Sequence, residues 1–264
     1  MELDDAYANG AHIAGAETYP PRWNEAAQAF RDKMEVEGRA RLGQPYGPGD
    51  RHRFDLFLPE GTPKGIVIFV HGGYWLNFDA STWSHLAAGP LAKGWAVALP
   101  SYDLCPSVRI SEITLQIAQA VQKIAQTVTG PIALTGHSAG GHLVARMLAP
   151  EMLPPEVADR IAHVVPISPL ADLRPLLRTS MNENLRLDEA EAWAESPIAQ
   201  PVPEVPVTIW VGAEERPAFL DQARWLAKAW SSDTVIVPGK HHFDVIDALA
   251  DPQDTLVTTL TTPT

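Results

Sequence analysis

The sequence predicts an α/β fold, a mostly parallel sheet with helices on both faces and a small helical insertion. Short runs that are apolar at every position recur along the chain, such as Ile66–Val70 and Trp95–Leu99, as strands buried on both faces require. Segments with apolar residues at helical spacing lie between them, and strands alternating with helices build parallel sheets. The 264 residues suffice for one large core.

Residues 1–50 read as an N-terminal segment packed on the core, and residues 51–264 as the α/β domain. Within the first, Trp23–Ala40 predicts an amphipathic helix with Ala26, Ala27, Phe30, Met34 and Val36 as its candidate inward residues. Gly43–Gly49 predicts a loop. Phe54–Leu58 reads as a sheet-edge strand ending at Pro59, followed by the buried strands Ile66–Val70 and Trp95–Leu99. Ser111 can cap a helix with Ile113, Ile117, Val121, Ile124 and Val128 on one stripe. Ile132–Thr135 predicts a strand and Gly140–Ala149 a helix. Strands follow at His163–Ile167, Val207–Val211 and Thr234–Val237, with helices at Ala218–Trp230 and Phe243–Leu249. The stretch 170–200 exceeds a simple connection and reads as a helical cap over the site. The threonine-rich end, Thr255–Thr264, is expected to fray.

Composition limits the partners. The net charge of −12, from 32 acidic and 20 basic residues, argues against a nucleic acid, whose phosphates need a basic face. The dispersed acidic residues read as a solvated surface. No stretch approaches the roughly 20 apolar residues that span a bilayer, and the acidic start Met1-Glu-Leu-Asp-Asp5 does not read as a signal peptide. A single cysteine, Cys105, excludes an internal disulfide and fits a reducing, cytoplasmic setting. The partner expected is a small-molecule substrate, with neither nucleic acid nor membrane; a homo-oligomer stays open.

Chemistry concentrates at Gly136-His-Ser-Ala-Gly140, a G-x-S-x-G run directly after an apolar strand and directly before a helical pattern. In that context the serine sits on a strained strand-to-helix turn that lifts its hydroxyl above the sheet. Ser138 is therefore the expected nucleophile. The amide of Ala139, opening the helix, is aimed at developing negative charge. His71-Gly-Gly-Tyr-Trp75 at the end of an earlier strand is a glycine-rich loop that can supply the other donors of an oxyanion hole. Gly73 and Tyr74 are the expected amides, with Gly72 a further candidate. His71 reads as structural. Trp75 stands open between core and pocket wall; with Tyr74 and His137 it is an expected lining residue.

A general base belongs on a late loop at the same sheet edge. Lys240-His-His-Phe-Asp244 offers His242, with His241 as the alternative. The orienting carboxylate belongs after the penultimate strand. There Val211–Pro217 offers Glu215, three residues beyond the turn glycine Gly212, with Glu214 as the alternative. His137 and His142 flank the elbow without metal-ligand spacing, no H-E-x-x-H occurs, and no Gly-Lys-Ser/Thr follows the Gly-Gly pairs. No metal and no organic cofactor is expected.

With these residues in hand, the chain resembles α/β-hydrolases of the kynurenine formamidase (arylformamidase) type, neighbours of the hormone-sensitive-lipase-like esterases. The resemblance runs from about residue 54 to residue 250. It rests on His71–Trp75, Tyr102-Asp-Leu-Cys-Pro106, Gly136–His142, Arg216-Pro-Ala-Phe219 and His242-Phe-Asp244. It implies the α/β-hydrolase fold, Ser138 as nucleophile, His242 as base, and as acid the residue before Arg216-Pro217. That residue is Glu215, where the family usually has aspartate. It also implies removal of a formyl group from an aryl amine such as N-formylkynurenine. Two alternatives accompany this reading: a short-chain carboxylesterase with the same machinery, and a non-catalytic binding protein that keeps the fold.

Overall fold

The structure, a computed structural model, describes residues 1–150 and 152–262. Among them, eight strands form one sheet in the order β1-β2-β4-β3-β5-β6-β7-β8. The strands are β1 (Ala40–Pro45), β2 (Arg53–Phe57), β3 (Ile66–Val70), β4 (Ala96–Pro100), β5 (Ile132–His137), β6 (Ile161–Ile167), β7 (Thr208–Gly212) and β8 (Asp233–Val237). β1 and β2 run antiparallel, and from β4 onward every pairing is parallel. β3, β4 and β5 are buried along their whole length, which is why β3 and β4 read as unbroken apolar runs. Each fully buried Ile, Val or Leu there contributes about 1.5–3 kcal/mol.

Phe54–Leu58 was expected at the sheet edge, but β2 lies one strand in. β1 covers it, overlapping the start of the expected loop Gly43–Gly49. β1 carries only Leu42 between Arg41 and Gly43, too little alternation to announce a strand.

Helix α1 spans Tyr19–Val36, four residues earlier than expected. It buries Trp23, Ala27 and Met34 and half-buries Phe30. Ala26 and Val36 lie off that stripe in solvent, Val36 at 90% exposure. After the short α2 (Ala88–Ala92), α3 (Ile110–Ala125) presents the expected apolar stripe to the sheet. Its cap is not Ser111. The N-cap is Arg109, whose N–H donates to the Glu112 carboxylate at 2.8 Å, while the Ser111 hydroxyl donates to Glu191 at 2.7 Å. Helix α4 (Ala139–Arg146) follows β5, and α5 (Pro155–Ala158) precedes β6.

The 170–200 stretch holds α6 (Asn182–Leu185) and α7 (Glu189–Ala194) with flanking 3₁₀ turns. Glu191 pairs with Arg109, and Glu195 accepts from Arg146 at 3.2 Å and from Thr114 at 2.7 Å. The insertion is thus pinned against α3 and α4. Helix α8 (Pro217–Trp230) follows β7. The segment after His242 is a 3₁₀ helix, Val245–Ala250, rather than an α-helix from Phe243. The expected fraying of Thr255–Thr264 does not extend over the described part. Thr255–Thr261 forms α9, held by its buried Leu256, Val257 and Leu260 and capped by Asp254. Pro263 and Thr264 lie outside the described residues. Among the described residues no helix is long and apolar enough to cross a membrane.

Candidate active site

Parallel sheets gather function at the carboxyl ends of their strands, and all the chemistry-bearing motifs arrive there. Ser138 stands where β5 turns into α4, with φ 57° and ψ −115°. An L residue rarely adopts that region, and such strain persists only where the surroundings dictate it. Here its N–H donates to the Ile167 carbonyl at 2.8 Å and its carbonyl accepts from His142 N–H at 3.0 Å. A Cβ on Gly140 would lie 1.9 Å from the Val70 carbonyl oxygen, so only glycine lets α4 start this close to β3. Ser138 is 2% exposed.

The loop after β3 wraps beside this turn. Gly73, Tyr74 and Trp75 take φ values of 105°, 53° and 57°. This left-handed run turns the chain so sharply that Leu76 N–H and Asn77 N–H both donate to the Gly73 carbonyl, at 2.9 and 3.1 Å. His71 anchors the loop: its ring lies flat on Tyr102 with centroids 4.3 Å apart, and the Tyr102 hydroxyl donates to the His71 carbonyl at 2.8 Å. Burial pushes the His71 imidazole down to about 4. Its expected structural role matches this position.

Glu215 lies just after β7, in the turn that leads into α8. Its side chain is wholly buried, and Oε2 meets His242 Nδ1 at 2.7 Å. Oε1 accepts from Gly212 N–H at 3.2 Å and from the Ser168 hydroxyl. The carboxylate is therefore fixed by three donors, which also fixes the Nδ1–H tautomer of His242. The His242 ring is held between Phe219 and His137, with centroids 4.3 and 4.5 Å away. Among the described residues Ser138 Oγ is not hydrogen-bonded to His242; such bonds often tighten only around substrate.

The alternatives separate clearly. Glu214 is exposed. His241 turns toward the N-terminal segment, where its Nε2 lies 3.1 Å from the Tyr19 hydroxyl. Ser168, at φ 48° after β6, was not anticipated. Its only sequence signal is a serine at the carboxyl end of a predicted strand.

Ser138, His242, His137, Gly73 and Tyr74 line one cavity of about 400 Å³. Gly72 lies in the loop just behind Gly73, and Ala139 is fully buried at the start of α4. Trp75 is a correction. Its indole is completely buried, edge-on to His142 at 5.1 Å, and does not reach the cavity. The positive φ at Trp75 sends its side chain down into the core rather than up into the pocket. Burial and the neighbouring His242 hold the His137 imidazole well below its ordinary range, so it is neutral.

The cover is also a correction. Of the expected cap, only Met181 reaches the cavity; Tyr7, Ala8, Asn9, Gly10 and Ala11 line it instead. Tyr74 donates to the Tyr7 carbonyl at 2.6 Å, and Gln222 donates to the Tyr7 hydroxyl at 3.0 Å. Asp5 pairs with Arg216 at 2.7 Å, and Leu3 N–H donates to the Arg178 carbonyl at 3.2 Å. The first eleven residues show no periodicity, so nothing in the sequence announces this strap. The rest of the lining is mostly aromatic, Trp23, Phe78, Trp83 and Phe243, with Pro20 and Asn77.

This sheet, with a serine on a left-handed strand-to-helix turn and a buried carboxylate–imidazole pair beside it, is the architecture of a hydrolase. A family model described as the alpha/beta hydrolase fold matches residues 67–238, and the chain belongs to that family. Within it, its relationships are to the kynurenine formamidase (arylformamidase) type. Kynurenine formamidase of Salmo salar is 30% identical over 227 residues, covering 80% of this chain and 77% of that protein. That of Drosophila melanogaster is 30% identical over 247 residues, covering 84% and 81%. A crystal structure from a Silicibacter species, provisionally described as a thioesterase, superposes with a TM-score of 0.97 at 64% identity, covering 99% of this chain and all of that one.

Proposed function

We propose that the chain is a serine hydrolase that removes a small acyl group, formyl or acetyl, from an aromatic amine or phenol, as in the conversion of N-formylkynurenine to kynurenine and formate. One observation carries the reading. The buried Glu215–His242 pair opens onto the same aromatic-walled cavity as the strained Ser138.

In this reading Ser138 Oγ attacks the formyl carbon while His242 Nε2 takes the hydroxyl proton. The charge that forms on the carbonyl oxygen is held by backbone N–H groups of Ala139 and of Gly73 and Tyr74, with Gly72 supporting the loop. Glu215 stabilises the imidazolium. Collapse breaks the C–N bond, and His242 gives its proton to the departing aryl amine. Water then attacks the formyl-enzyme, His242 accepts its proton, and formate leaves with Ser138 restored. A cavity of about 400 Å³ suits one substituted aryl ring. The relatives named kynurenine formamidase and the single free, buried Cys105 fit a small-molecule enzyme of a reducing, cytoplasmic setting.

The test is a panel of N-formylkynurenine, formanilide, p-nitrophenyl acetate and p-nitrophenyl butyrate, with phenyl thioacetate added because of the Silicibacter relative's description. The expected result is the highest kcat/KM on a formylated aryl amine. Turnover of the esters with none of N-formylkynurenine or formanilide would instead favour a short-chain carboxylesterase. No turnover of any member would favour a binding protein.

A further inference from the structure

An aromatic arc borders the cavity from the expected base to the loop after β3. Between ring centroids, His242 lies 6.3 Å from Phe243, Phe243 5.4 Å from Trp23, Trp23 4.7 Å from Trp83, and Trp83 5.5 Å from Phe78. Phe78 closes the arc on the loop, since a Cβ on Gly73 would lie 2.8 Å from its Cδ2. Each of these residues lines the same cavity as Ser138.

No Lys, Arg, Asp or Glu joins that lining among the described residues. The charged residues next to it in sequence have partners of their own. Asp5 pairs with Arg216 at 2.7 Å, and the Arg22 guanidinium lies over the Tyr19 ring at 5.2 Å. Asp79 accepts from Ser81 N–H at 2.8 Å, and Asp244 accepts from His241 N–H at 2.7 Å. Of the histidines in the lining, His242 is the base of the proposed mechanism, and burial with His242 alongside holds His137 neutral. A charged group that enters such a site leaves water and gains no counter-charge, which is unfavourable. An aryl ring instead gains burial and ring-on-ring contact.

We infer that the cavity takes an uncharged aryl leaving group, so that the preferred substrates are neutral aryl formamides or aryl esters rather than an aromatic amino acid. This deepens the reading of the site as an acyl-aryl hydrolase and rests on it for the reaction. In N-formylkynurenine the ammonium and carboxylate sit on a short chain ortho to the formamide, so they enter with the scissile bond. The same aryl formamide without that amino-acid group is N-formyl-2-aminoacetophenone, which brings no charge into the aromatic walls.

The experiment assays the wild-type enzyme on two matched pairs. 3-Formamidobenzamide and 3-formamidobenzoate share size and shape and differ in charge. N-formyl-2-aminoacetophenone and N-formylkynurenine differ by the charged amino-acid group. In each pair kcat/KM is expected to be roughly tenfold or more higher for the neutral member, mainly through KM. A ratio near one, or a preference for the charged member, in either pair overturns the proposal. Binding of the product amines, 3-aminobenzamide and 3-aminobenzoate, is measured in parallel by calorimetry, and the amide is expected to bind about tenfold more tightly. Equal Kd values, tighter binding of the benzoate, or no measurable binding of either amine also overturns it. Failure of the underlying reading is distinguishable. Wild type then hydrolyses none of the formamides, while the binding comparison still decides whether the cavity excludes charge.

Discussion

Glu215 Oε2 lies 2.7 Å from His242 Nδ1, and the side chains are 0% and 5% exposed. A carboxylate this deep is costly to bury without donors around it, and it has three: the imidazole, the Gly212 amide and the Ser168 hydroxyl. The longer glutamate arm reaches from the β7 turn to the same ring an aspartate would serve.

Glu215→Gln should lower kcat by about 10⁴, as when a triad carboxylate becomes an amide and the imidazole loses its tautomer. Glu214→Gln, at an exposed position, should leave the rate within twofold. Steady-state kinetics on the preferred substrate decides it. Equal, small effects would remove Glu215 from the site.

Ser138→Ala should cost on the order of 10⁶ in kcat with the fold retained, and His242→Ala should cost nearly as much. His241→Ala should act differently. It removes a contact to Tyr19 that helps seat the N-terminal helix, so its effect belongs in the melting temperature, at about 1 kcal/mol. A His241 variant that is stable but inactive would reverse the assignment of the base.

Tyr74 and Met181 line the cavity and Trp75 does not; the proposed mechanism puts the acyl group beside the Tyr74 loop. Across acetyl, butyryl and octanoyl p-nitrophenyl esters kcat/KM should fall steeply, since each rejected methylene is worth roughly 1–3 kcal/mol. A flat or rising series would contradict a cramped acyl site.

Burial holds His71 and His142 at about 4, against an ordinary 6.5. Both are neutral in the fold, whereas the unfolded chain binds a proton on each below pH 6.5, so folding opposes protonation and stability rises with pH. Their contribution is complete above pH 6.5 and is lost as the pH falls toward 4. Melting temperatures measured between pH 7.5 and 4 should decline across that window. A melting temperature that stays flat from pH 7.5 to 4 would contradict this coupling.

The sequence by itself determined the α/β class, the central strands and the identity of the elbow. Those signals are local: β3 and β4 are apolar at every position because both faces are buried, and G-x-S-x-G is what a tight strand-to-helix turn demands of its own residues. The choice of Glu215 over Glu214 and of His242 over His241 was legible only as a preference, since adjacent residues of one type differ in direction and not in spacing. Packing decided it. Gly212 and Ser168 draw one carboxylate inward, and Tyr19 draws one imidazole away. The roof of the cavity was not legible at all. Tyr7–Ala11 lies about 130 residues from Ser138 in sequence, and it reaches the site only because Gln222, Tyr74, Arg216 and Arg178 hold it there. The insertion expected to cover the site is instead fastened to α3 and α4 by Glu191 and Glu195. Which of two segments covers a pocket depends on long-range partners, and only the tertiary structure brings those partners together.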